Sequence, residues 1–259
     1  MRKRRKRREE LRWRGKVSSY IARKVRAGEV LHFSLIDPAK AGSLGSLRRV
    51  IKALKEAGTD AFLIGGSLGV SESDVDEIVK LVDEFDMPSI LFPGNVSGIS
   101  RFADAIFFMS LLNSDDPYFI IGAQVLGAPI VKRYGLEALP TAYLIIGYGG
   151  AAGYVGRARP IPFEKPELAI AYALAAEFLG MRYVYLEAGS GSPRPVPPKV
   201  VSAVSRSLEN AYVIVGGGIR ESEVALKICE SGANIIVTGN IIEDRLDKAL
   251  KIIEAIKKR

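Results

Sequence analysis

The sequence predicts a (β/α)8 TIM barrel, an α/β fold in one domain, and three observations carry that prediction. Eight short apolar runs rich in β-branched residues recur along the 259 residues. They are continuously apolar and do not alternate, which is how strands buried on both faces read. The segments between most of them have helical period. Eight such units over about 240 residues match the barrel in number and length. A doubly wound open sheet, the alternative, usually has fewer strands.

In chain order the strand runs are LHFSLID (31–37), AFLIGG (61–66), SILFPG (89–94) and DAIFFMS (104–110), then AYLIIG (142–147), YVYLEAG (183–189), YVIVGGG (212–218) and IIVTGN (235–240). After the first run, Leu47, Val50, Ile51 and Leu54 make an apolar face opposite Arg48, Arg49, Lys52 and Lys55, with Gly58 as the stop. Helices are expected over 72–85, over 166–179 with Pro166 in the first turn, over 221–231 closed by Gly232, and over 244–258. After the third strand GNVSGISRF is too short and Gly-rich for a full helix. A short, irregular connection is therefore expected in place of the third helix.

Composition sets further bounds. With 48% apolar and 25% charged residues the chain is not disordered throughout. The net charge of +8 is uneven: residues 1–16 hold ten bases against Glu9 and Glu10, and the remainder carries 27 of each sign. Residues 1–16 thus read as a basic, disordered extension and 17–259 as one electrically neutral catalytic domain. Arg2–Arg8 is followed by EELRWRGK and not by an apolar segment, so it does not read as a signal peptide. The uncharged stretch 138–156 is broken by Pro140 and five glycines and does not read as a membrane span. A lone Cys229 gives no internal disulfide and suits a reducing cytoplasm. A lone His32 excludes zinc sites built on several His or Cys ligands and, set in an apolar run, reads as structural.

A barrel carries its active site where the strands end. There stand Asp37-Pro38, Gly65-Gly66-Ser67, Pro93-Gly94-Asn95, Glu187 to Gly191, Gly216 to Gly218, and Gly239-Asn240. Glycines followed by helix starts after the seventh and eighth strands let backbone N–H groups approach an anion, which is a phosphate site. Asp37 is a candidate Mg²⁺ ligand and Glu187 a candidate general base. Gly147 to Ala152 fits a loose dinucleotide fingerprint, but Pro160 and Pro162 break the helix it needs; Arg157 and Arg159 in that loop suit a diphosphate instead.

LHFSLIDPAK, FLIGGS, ILFPGN, YLEAGSGSP, VGGGI and IIVTGN, in this order, closely resemble the geranylgeranylglyceryl phosphate synthase family over roughly residues 17–259. The form YLEAGSG resembles the second of its two subgroups, where dimers and hexamers occur. The resemblance implies a Mg²⁺-dependent prenyltransferase that joins the 3-hydroxyl of sn-glycerol 1-phosphate to geranylgeranyl diphosphate in archaeal ether-lipid synthesis. It further implies metal-binding positions at Asp37 and Ser67. The glycerol-phosphate site would comprise Tyr185, Glu187, Ala188, Gly189, Ser190, Gly191, Gly216, Gly217, Gly218, Gly239 and Asn240. Phe107, Phe108, Tyr118, Tyr143 and Tyr148 are candidates for an apolar prenyl groove. Ala39, where an acid is expected after Asp-Pro, departs from the pattern, as does the Arg-rich extension.

Two other readings compete. A phosphosugar isomerase shares the phosphate loops, but its kind resembles enzymes with an acid on the fifth strand, where YLIIGYGG has none. A nucleic-acid binder could use the basic arm, yet the neutral body offers no extended basic groove and only Trp13 stacks beside it, so no nucleic acid is expected. The arm suits loose attachment to an anionic membrane surface.

Overall fold

Eight parallel strands close on themselves in chain order, with β1 completing the ring against β8. The computed structural model describes residues 13–66 and 69–259. The strands are β1 (Leu31–Ile36), β2 (Ala61–Gly65), β3 (Ser89–Phe92), β4 (Ala105–Leu111), β5 (Glu137–Ile145), β6 (Tyr183–Glu187), β7 (Tyr212–Gly216) and β8 (Ile235–Thr238). β2, β3, β6 and β8 are buried at every residue, which is why their sequences show no alternation.

Side chains divide between two cores. Phe33, Leu63, Phe92, Phe107, Tyr143, Tyr183, Tyr185, Ile214 and Val237 fill the barrel. Leu47, Ile51 and Leu54 of helix Leu44–Ala57, with the matching faces of Glu72–Asp83, Ser222–Glu230 and Leu246–Lys257, pack on its outside. Gly58 ends the first of these helices at φ +105°, as its place in the sequence predicts. Between β3 and β4 only the 3₁₀ turn Val96–Gly98 forms, so the third helix is absent as expected.

The structure corrects several expectations. β5 starts at Glu137, five residues before the apolar run, because residues 137–141 pair with β4 from Ala105 to Met109 despite Pro140 and Thr141. The last helix is two, Asn240–Asp244 and Leu246–Lys257, parted at Arg245. Helices Ala123–Tyr134 and Pro198–Ser207 add to those predicted. A six-residue helix, Gly150–Val155, does follow the fingerprint glycines and stops before Pro160.

The boundary of the extension is corrected at its end. Residues 1–12, including the basic run Arg2–Arg8, lie outside the described residues. Trp13 and Arg14, assigned to the extension by composition, are held on the body. The Trp13 indole donates to the Asp86 carbonyl, and the Arg14 guanidinium donates to the carbonyls of Tyr134, Arg101 and Ala103. Helix Val17–Arg26 then stoppers the bottom of the barrel, with Val17 and Ile21 fully buried against the interior core. Glu137 of β5 caps it by accepting the Val17 and Ser18 amides at 2.8 and 3.1 Å. Sequence periodicity missed this helix because its apolar face is only Val17, Ile21 and Val25 among basic residues.

Candidate active site

The carboxyl ends of β5 to β8 bring a buried acid together with three glycine-bearing loops. Glu187, the last residue of β6, is only 7% exposed. Its carboxylate accepts the Gly189 amide at 2.6 Å, and the phenols of Tyr143 and Tyr185 face it and favour its charged form. Burial outweighs these donors and raises its pKa from 4.5 to about 6. A carboxylate poised there is charged at neutral pH yet basic enough to accept a proton.

The loops fit this acid by lacking side chains. Gly217 sits at φ +82°, and a Cβ on it would lie 2.4 Å from Glu187 Oε1. Gly189, at φ +105°, leaves the backbone of Gly149 and Gly150 so close that a Cβ would lie 2.4 Å from the Gly149 carbonyl carbon. A Cβ on Gly216 would run into the Tyr185 hydroxyl, and one on Gly218 into the Arg194 backbone. Across these, Ser190 Oγ donates to Asn240 Oδ1 at 2.8 Å, tying the β6 loop to the residue after Gly239. Ala188 is buried in the same loop and Gly191 is exposed at its tip. Of the sequence-predicted site, Tyr185 to Gly191, Gly216 to Gly218, Gly239 and Asn240 are thus brought to one end of the barrel. The short helix Asn240–Asp244 after β8 completes the loop and helix arrangement with which such barrels bind phosphate.

Asp37 follows β1 beside this group. One oxygen accepts the Ala39 amide at 3.0 Å, and the Lys40 ammonium lies 3.9 Å from the other. Lys40 also donates to Glu243 at 3.0 Å. Ser67, the other expected metal position, lies outside the described residues. No group of three or more His, Cys, Asp and Glu side chains converges among the described residues. His32 is remote from this chemistry: it is fully buried between the hydroxyls of Thr59 and Thr238, and burial lowers its pKa to about 3.

An apolar cleft with about 190 Å³ of free space opens beside Glu187 along β3, β4 and β5. Phe107, Phe108 and Tyr143 line it, as expected of three of the candidate aromatics. Tyr118 and Tyr148 do not; they are 41% and 59% exposed, and Phe119 takes the place beside the cleft instead. Its outer wall is helix Ala123–Tyr134, through Gln124, Gly127 and Val131, entered by a π-helical turn Tyr118–Gly122. That wall escaped the sequence reading because Pro129 interrupts the helical pattern. Arg157 and Arg159 are exposed near the rim, each 3.8 Å from an aspartate, Asp116 and Asp115 respectively.

The PcrB family profile matches residues 23–257. Geranylgeranylglyceryl phosphate synthase of Saccharolobus solfataricus is 54% identical over 250 residues, covering 96% of this chain and 98% of that protein. The enzyme of the same name from Sulfolobus acidocaldarius is 54% identical over 247 residues, covering 95% and 96%. Among solved structures, (S)-3-O-geranylgeranylglyceryl phosphate synthase from Thermoplasma acidophilum in complex with its substrate sn-glycerol-1-phosphate aligns with a TM-score of 0.87 at 40% identity, covering 92% of this chain and 97% of that one.

Proposed function

The chain belongs to the PcrB family, and from that premise we propose that it forms the ether bond between the 3-hydroxyl of sn-glycerol 1-phosphate and geranylgeranyl diphosphate. The observation that carries this reading is the juxtaposition of a buried acid among glycine loops with an apolar cleft, one subsite for a polar phosphate and one for a hydrocarbon chain. The glycine loops after β7 and β8 hold the glycerol phosphate and fix its free hydroxyl. Glu187 takes the proton of that hydroxyl as its oxygen attacks C1 of the prenyl chain, and the bond to the departing diphosphate breaks.

Magnesium fits the end of β1 by the chemistry of its donors. Asp37 is a single hard carboxylate, and Mg²⁺ usually takes one or two carboxylates and completes its shell with water and substrate phosphates. Asp37, with Ser67 beside the β2 end in sequence, would hold it. Bound there, the ion would neutralise charge on the leaving diphosphate. The exposed Ile121 of the π-helical turn and Val125 and Leu126 of the helix that follows favour a homo-oligomer, a dimer or hexamer. No helix among the described residues is long and apolar enough to cross a membrane, and Arg2–Arg8 serves as a peripheral contact with an anionic surface.

The decisive assay offers each glycerophosphate enantiomer with Mg²⁺ and prenyl diphosphates of several lengths, and identifies the product by mass. A C20 ether of the sn-1 phosphate is the expected product, lost on chelation of the metal. Turnover of an aminoaldose phosphate with no prenyl diphosphate would overturn the proposal in favour of the isomerase. The carboxyl end of β5, Ala142–Ile145, carries no acid of its own, which speaks against that chemistry.

A further inference from the structure

Tyr143 touches both halves of the site. β5 and β6 are in register with Tyr143 opposite Tyr185, two residues before each strand ends, so both phenols rise to the height of Glu187. The Tyr143 hydroxyl faces the Glu187 carboxylate and favours its charged form. Its ring lies 5.2 Å from that of Tyr185 and 5.8 Å from that of Phe92, edge to face with both, and forms part of the cleft wall. These contacts leave the phenol few alternative rotamers.

We infer that Tyr143 is a positioning residue for the transfer, its hydroxyl orienting the Glu187 carboxylate while its ring walls the prenyl cleft, so that one side chain couples the two substrate subsites. The inference rests on Glu187 as the base. The titratable groups facing Glu187 are the Tyr143 hydroxyl from β5 and the Tyr185 hydroxyl from β6; β7 presents Gly216 and Gly217. Each phenol donor favours the charged carboxylate, so removing one raises the pH at which it ionises.

Tyr143→Phe keeps the ring and removes the donor. Its acid limb in kcat/KM for glycerol phosphate should rise by about half a unit or more, costing roughly twofold more activity at pH 6 than at pH 8. The KM for the prenyl diphosphate should stay within about twofold, whereas Tyr143→Leu, which also removes the ring, should raise it by about tenfold. Infrared titration of the carboxyl band, differenced against Glu187→Gln, reads the same shift without turnover. A Tyr143→Phe band and rate limb that superpose on those of the parent overturn the inference. If the limb vanishes in Glu187→Gln but stays put in Tyr143→Phe, only the positioning role falls. A limb that persists in Glu187→Gln removes the base assignment and the inference with it.

Discussion

Glu187 carries a cost that the proposed base role explains. Its folded pKa of about 6 lies above the ordinary 4.5, so the fold prefers the neutral acid. That preference stabilises fully below pH 4.5 and is lost as pH rises through about 6. Above that window the charged group costs the fold on the order of 2 kcal/mol. Glu187→Gln should therefore match or exceed the parent in melting temperature at pH 8 while losing about 10²–10⁴ in kcat. Glycerol phosphate affinity by calorimetry should change little; equal loss of binding and turnover would contradict the base role. Parent kcat/KM should fall as pH drops below about 6. The neighbouring Gly217→Ala meets both a left-handed φ and the carboxylate itself, and should cost about 1–3 kcal/mol in denaturant unfolding together with most of the turnover. The acid and its glycines were legible in the sequence because they follow directly on the strand runs. Tyr143 read only as one aromatic among several, since its link to Glu187 is made by register between strands whose partners stand 42 residues apart in the chain.

At the scale of elements, the strands were legible because burial on both faces leaves continuous apolar runs, and the gap after β3 because glycines interrupt GNVSGISRF. Helix Pro198–Ser207 was hidden by the preceding prolines, and Val17–Arg26 by its basic residues, though each buries an apolar face. What fixes Val17–Arg26 is a long-range network that no local pattern can display. Asp60, with a side chain 3% exposed, accepts the His32 amide at 2.9 Å and the Tyr20 hydroxyl at 3.0 Å. It also pairs with Lys24 at 3.1 Å and with Lys257 of the final helix. One carboxylate thus joins the first helix, β1, the start of β2 and the last helix. Asp60→Asn leaves the Lys257 ammonium without its anion and Lys24 with only the more exposed Glu29, and should cost about 3 kcal/mol in chemical denaturation. Because the network sits at the bottom of the barrel, KM values at ambient temperature should not move. A loss below about 0.5 kcal/mol would show the pairs to be no more than surface ion pairs.

For the whole molecule the charge balance separates two parts of the chain. A body with equal numbers of each sign carries the chemistry, and the excess of +8 lies in residues 1–16, of which Trp13 and Arg14 are built into the fold. The seven consecutive bases Arg2–Arg8 precede this body in the chain. Near an anionic bilayer each contributes on the order of 1 kcal/mol, enough to hold the enzyme beside a lipid product without a spanning helix. The attraction is electrostatic and decays over about 10 Å at 0.1 M salt, so it must weaken as salt rises. In co-sedimentation the full chain should bind phosphatidylglycerol vesicles, ignore neutral phosphatidylcholine vesicles, and detach in high salt. Deleting Arg2–Arg8 should abolish that binding and leave turnover of a short, soluble prenyl diphosphate unchanged. Vesicle binding that survives the deletion would assign the membrane contact to the barrel, with the exposed Ile121, Val125 and Leu126 beside the cleft as the surface to mutate next.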